Sequence, residues 1–84
     1  MTGPPSMVTV SVLAFGPLSE KLGGREHDCV VPLGSTVREL LKHLELDEWL
    51  AIGLTIAING DRCKVETVLS AGDEIALLPP VSGG

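Results

Sequence analysis

Thr36-Val37-Arg38-Glu39 opens the one strong helix pattern in this chain, and nearly everything on either side of it reads as strand and turn. The four residues match a capping box, in which the Thr hydroxyl and the Glu carboxylate satisfy backbone N–H groups that a helix start leaves unpaired. Val37, Leu40, Leu41 and Leu44 then recur at the i, i+3, i+4, i+7 spacing, with Arg38, Glu39, Lys42 and His43 on the other side. The pattern predicts a helix ending near Glu45-Leu46 with one apolar face, which needs a sheet to bury it.

The flanking segments supply that sheet. Residues 7–15 contain no Gly or Pro and alternate, with Val8, Val10, Val12 and Ala14 on one face and Thr9, Ser11, Leu13 and Phe15 on the other. The first face is small and apolar throughout and is assigned to the core. Gly16-Pro17 breaks the strand, and Pro17 suits the first turn of a short helix over 17–22 that Gly23-Gly24 ends. A second strand is expected over 25–31, stopped by Pro32-Leu33-Gly34. After the main helix, residues 47–53 can hold a further helical turn with Trp49 and Leu50 against the domain edge. Further strands are expected over 54–58, 62–65 and 73–78, separated by the turn signals Asn59-Gly60 and Ala71-Gly72-Asp73. One helix on one face of a mixed sheet is an α+β roll. The first and last strands are expected to lie side by side as its parallel pair.

With 84 residues the chain is one domain. A domain this small buries only about 60–65% of its unfolded surface, so its core is thin and a deep internal cleft is not expected. A binding or carrier role suits it better than catalysis alone. The longest apolar runs fall short of a membrane span. Residues 1–6 lack the basic and apolar regions of a signal peptide and read as a loose leader, which points to the cytoplasm. Eleven acidic against six basic residues give a net charge of −5, and there is one Phe, one Trp and no Tyr. Both features argue against nucleic acid. Cys29 and Cys63 form no CxxC and no zinc spacing, and read as partly buried thiols in strands. His27 and His43 are isolated and read as surface residues, so no metal is expected. Asp61, Arg62, Lys64 and Glu66 read as solvated.

The end of the chain carries the chemistry. Pro79-Pro80 holds the backbone extended after the last strand, and Val81-Ser82-Gly83-Gly84 follows. Residues 81–84 form an extended arm whose last two positions have no side chains, suited to a narrow channel. The α-carboxylate of Gly84 is a poor electrophile until activated. Reaction with ATP gives an acyl-adenylate, and attack by a sulfur nucleophile then leaves a thiocarboxylate on Gly84.

The run Gly72-Asp73-Glu74-Ile75-Ala76-Leu77-Leu78-Pro79-Pro80-Val81-Ser82-Gly83-Gly84 resembles the C-terminus of the MoaD/ThiS sulfur-carrier family, in its MoaD form. The resemblance extends from about Val8. It takes in Phe15 ending strand one, the Leu22-Gly23-Gly24 corner, the Ser35-Thr36-Val37-Arg38-Glu39-Leu40 helix start and the Ile58-Asn59-Gly60 turn. It implies a β-grasp, ubiquitin-like domain over 7–80. It also implies that Gly84 is adenylated by a MoeB-like activating enzyme, which uses the ATP, while the chain itself binds no cofactor. The thiocarboxylate then enters a MoaE-like large subunit, in a heterotetramer, and donates sulfur to cyclic pyranopterin monophosphate. Partner-binding positions implied by the family are Phe15, Leu78, Pro79, Pro80, Val81 and Ser82. A further contact, usually apolar, falls on Arg62, a departure that bears on partner identity.

Alternation supports part of this. If Ile75 and Leu77 face the helix, Leu78 and Phe15 lie on the outer face, where an exposed Phe–Leu pair near the arm reads as an interface. Rival readings use the same arm: sulfur delivery for thiazole, cysteine or tRNA thiolation, or a ubiquitin-like modifier joined through Gly84 to a lysine. A plain β-grasp adaptor, with Gly83-Gly84 incidental, also remains.

Overall fold

The computed structural model describes residues 6–80. The expected arm residues Val81, Ser82, Gly83 and Gly84, and all but the last residue of the expected leader, lie outside the described residues. The elements run β1 (Met7–Ala14), α1 (Pro17–Leu22), β2 (Glu26–Pro32), α2 (Val37–His43), a 3-10 helix (Asp47–Ile52), β3 (Thr55–Ile58), β4 (Asp61–Arg62) and β5 (Glu74–Leu78). They form one five-stranded sheet in the order β2-β1-β5-β3-β4. Strands β1 and β5 pair in parallel, with Val12 opposite Ile75 and Ala14 opposite Leu77, and the remaining pairs are antiparallel. This is the α+β, ubiquitin-like β-grasp arrangement.

Period-two alternation sets the core face. Val10, Val12 and Ala14 of β1, Ile56 of β3, and Ile75 and Leu77 of β5 are buried under Val37, Leu40 and Leu41 of α2. Leu18, Leu46 and Leu69 close the rim, and Trp49 and Leu50 pack against it from the 3-10 helix. The capping box is present: Thr36 N–H donates to Glu39 Oε1 at 2.9 Å, and Glu39 N–H to Thr36 Oγ1 at 3.3 Å.

Several expected boundaries move, each for a local reason. Helix α2 stops at His43 rather than near Leu46. Glu45 takes φ 60°, the Glu45 N–H bonds the Lys42 carbonyl and the Leu46 N–H reaches the Leu41 carbonyl at 2.8 Å. This is a Schellman closure that drives Leu46 into the core without the usual glycine. The fourth strand is Asp61–Arg62, not 62–65. One more ladder bond, Cys63 N–H to the Ile56 carbonyl, follows it. The chain then leaves the sheet, and the Val65 and Thr67 carbonyls accept from the Arg38 and Val37 N–H groups at the start of α2. Those donors are among the ones a helix leaves unpaired. Strand β1 ends at Ala14, so Phe15 sits just past it. Strands β2, β3 and β5 also begin one residue later than expected, and β2 takes in Pro32. The Asp73 carboxylate is occupied in a turn, accepting from Asn59 Nδ2 at 3.0 Å and Ser70 N–H at 2.8 Å.

Candidate functional site at the arm root

Parallel pairing of β1 and β5 sends both strands out at one pole of the molecule, where Phe15 and Leu78 follow the last paired residues. Leu77 is fully buried, and the next position, Leu78, is 38% exposed on the opposite face. Pro79 is half-buried and Pro80 exposed. Two glycines lie against them, and at Gly53 a side chain would be tight. A methyl placed on Gly16 would sit 3.6 Å from Pro79 Cγ, and one on Gly53 would sit 3.3 Å from Pro80 Cβ. Gly53 has φ +102° and closes the 3-10 helix, with its N–H directed to the Leu50 carbonyl. The strand thus leaves the sheet in a slot between the β1–α1 corner and the end of the 3-10 helix. Beside it lies an open hollow of about 700 Å³ lined by Gly53, Thr55, Arg62, Leu78, Pro79 and Pro80.

The outer sheet face reads across the strands in rows. Leu13 is opposite Ala76, Ala76 opposite Ala57, and Ala57 opposite Arg62; Leu78 is opposite Thr55. Leu13 and Ala76 are half-buried and Ala57 is buried. Alternation puts Phe15 on this face, but it is half-buried rather than openly exposed, so the expected exposed pair is in fact one exposed Leu beside a partly covered Phe. Its main chain continues into α1, where the Phe15 carbonyl accepts the Leu18 N–H at 3.1 Å. One row towards the other pole, Ser11 stands between Asp28 and Glu74, and Ser11 Oγ donates to Asp28 Oδ1 at 3.4 Å. The patch is therefore apolar, with carboxylates on one side and Arg62 at its outer edge. Ile52, 59% exposed immediately before Gly53, extends the apolar surface next to the arm root.

The sequence reading misses Gly16, Gly53, Ile52 and Ala57. Gly53 follows an unremarkable segment, and its closeness to Pro80 arises only in the folded chain.

Among the described residues the remaining polar groups form no second centre. Burial, and then the neighbouring Asp28 charge, push the Cys29 thiol up; burial also raises that of Cys63, partly offset by a hydrogen bond with Thr67. Both shifts disfavour the thiolate that a nucleophilic cysteine needs. Cys63 lies just beyond β4 rather than within a strand. His27 is half-buried rather than on the open surface, and its Nε2 donates to the Gly24 carbonyl at 2.9 Å. Asp61, Arg62, Lys64 and Glu66 are exposed, and Glu66 pairs with Arg38 at 3.7 Å. No group of three or more His, Cys, Asp or Glu among the described residues could hold a metal ion, and no helix among them is long and apolar enough to cross a membrane.

A β-grasp sheet whose last strand ends in Pro79-Pro80 at one pole defines the class of small ubiquitin-like proteins. Within it the chain belongs to the ThiS family, whose model matches residues 12–84. A molybdopterin synthase sulfur carrier subunit of Caenorhabditis briggsae is 34% identical, over 93% of this chain and all of that one. Subunit 1 in a complex of subunits 1 and 2 of the molybdopterin-converting factor of Helicobacter pylori is 33% identical with a TM-score of 0.62, covering 92% of this chain and all of that one. The small archaeal modifier protein 1 of Methanosarcina acetivorans is 30% identical with a TM-score of 0.72, covering 94% and 99%.

Proposed function

We propose that this chain is the sulfur-carrier subunit of a molybdopterin synthase. The observation that carries the reading is the slot in which Pro79 and Pro80 leave β5 between Gly16 and Gly53, beside an apolar sheet face. Such a root fixes the point at which the chain leaves the body, beside a face available for docking. The family match runs through Gly84, and the relatives named as sulfur carriers span nearly the whole chain.

On this reading the Gly84 carboxylate attacks the α-phosphate of ATP on a MoeB-like activating enzyme, and pyrophosphate leaves. A sulfur nucleophile displaces AMP and the thiocarboxylate remains. The loaded chain docks through Leu78, Phe15 and the arm root onto a MoaE-like large subunit, two copies of each making a heterotetramer. Val81, Ser82, Gly83 and Gly84 enter that subunit's active site, and sulfur passes to cyclic pyranopterin monophosphate. This chain supplies the carried group and the docking energy; its partners supply nucleotide and catalytic side chains. The reaction takes place in the cytoplasm.

A second reading, attachment of Gly84 to lysines of other proteins, is favoured by the likeness to the small archaeal modifier protein. Incubation with the activating enzyme, ATP and a sulfur source, followed by intact mass, tests the first. The chain should gain the mass difference between sulfur and oxygen, and large subunit plus precursor should then return it to its starting mass, two loaded chains being consumed for each dithiolene formed. Persistent isopeptide adducts without pterin sulfuration would replace the carrier reading with the modifier one.

A further inference from the structure

Arg62 is the one cation in the rows that make up the apolar patch. Its pairing with Ala57 sets it at the end of the row Leu13, Ala76, Ala57 on the outer sheet face. It also lines the hollow at the arm root with Leu78, Pro79 and Pro80. Among the described residues it has no ion-pair partner; the ion pair there joins Arg38 to Glu66. Lys64 and Glu66, also exposed, share with Arg62 the wall of an adjoining cavity of about 310 Å³, where the Glu66 carboxylate is engaged by Arg38. Across the patch the order is therefore carboxylates (Glu26 opposite Leu13, with Asp28 and Glu74 in the next row), apolar centre, then Arg62.

That order is unexpected for a chain of net charge −5. A partner attracted by overall acidity would bring basic groups, and a basic group opposite Arg62 would be repelled as the interface dries. We infer that the surface docking here presents a carboxylate to Arg62, an apolar centre to Leu13, Ala76 and Leu78, and basic groups to Asp28 and Glu74. The inference rests on the carrier reading, which makes this surface the synthase large subunit. Because the charge order has a direction, only one rotational setting of the partner satisfies both ends, and that setting fixes where the arm enters. Complementary charges of this kind act chiefly on specificity, register and association rate. Arg62 is thus a selectivity residue that distinguishes the cognate large subunit from one built for an apolar side chain at this position.

Calorimetry of the full chain against the large subunit of the same organism, at low and raised salt, tests it. Arg62→Gln should weaken binding by about tenfold and flatten its salt dependence, and Arg62→Glu should weaken it by about a hundredfold. Arg62→Lys should recover most of the loss, while Lys42→Gln on α2 should bind as the unsubstituted chain does. Circular dichroism checks that each variant is folded. Equal or tighter binding by Arg62→Gln would overturn the inference while leaving the carrier reading standing. No binding by the unsubstituted chain would instead overturn the carrier reading and the inference with it. If the Arg62→Gln effect vanishes in chains cut after Pro80, Arg62 holds this chain's own arm, and the partner carboxylate is refuted.

Discussion

Two constraints meet at Gly53. Its φ of +102° disfavours any side chain, and a methyl there would press on Pro80 at 3.3 Å. Gly72 separates the two effects, because it has φ +83° but nothing within 4 Å of the position a methyl would occupy. Both Gly→Ala changes should cost about 1–2 kcal/mol in urea unfolding, from the left-handed backbone alone. Only Gly53→Ala should also slow sulfur transfer to the pterin, by displacing the arm root. Equal transfer rates for the two variants at matched folded concentration would show that the slot does not aim the arm. The cysteines give a prediction with a pH sign. Burial and Asp28 raise the Cys29 thiol, so the folded state holds that proton more tightly than the unfolded state does. The resulting stability is complete below the unfolded thiol range and declines as pH rises through the raised folded value. The urea midpoint should therefore fall on the alkaline side, and fall less in Cys29→Ala. Iodoacetamide at neutral pH should label Cys29 far more slowly in folded than in urea-unfolded protein.

Adjacent residues of β5 divide the buried core from the surface proposed for docking. Leu77 is fully buried against the core, while Leu78 faces the outer patch. Leu77→Ala should cost about 2–5 kcal/mol of stability by leaving a cavity. Leu78→Asp should leave the far-ultraviolet circular dichroism unchanged and weaken large-subunit binding by about 2 kcal/mol or more, as a central contact does. The reverse pattern would mean that the two faces of β5 are interchanged. This division was legible in the sequence only as a condition, since 74–78 reads Glu-Ile-Ala-Leu-Leu and puts Leu78 outside once Ile75 and Leu77 face the helix; the observed burial alternates in that way. What alternation could not show was how far neighbours cover an outward side chain. Phe15 lies on the expected face yet is half-buried, since the chain turns directly into α1 behind it. Likewise β4 looked four residues long by composition. Its second half is drawn off to satisfy the N–H groups of α2, a demand that arises only once helix and strand are packed together.

At the scale of the whole molecule, body and arm divide the work, and length is what couples them. The sheet places Pro80 at a fixed point relative to the docking face, and the four residues after it can span at most roughly 13–14 Å. A partner that grips the apolar patch must hold its reactive centre within that reach. Deleting Gly84 withdraws the terminal carboxylate by about 3.3–3.6 Å along an extended chain, whereas a misplacement of ~1 Å can already cost roughly a hundredfold in rate. The surface proposed for docking, with Leu13, Ala76, Leu78 and Arg62, is untouched by the deletion. The shortened chain should therefore unfold at the same urea concentration as the full chain and keep most of its affinity for the large subunit, yet acquire no sulfur from activating enzyme, ATP and a sulfur source. A chain lengthened by one residue after Gly84 should behave in the same way, although its body and its arm are both intact. Binding and intact mass measured on the same three proteins decide the matter. Loss of binding in step with loss of sulfur would place the docking energy in the arm, sulfur transfer by the shortened chain would show that the reacting carboxylate need not be that of Gly84, and failure of the full chain to acquire sulfur would leave a β-grasp adaptor.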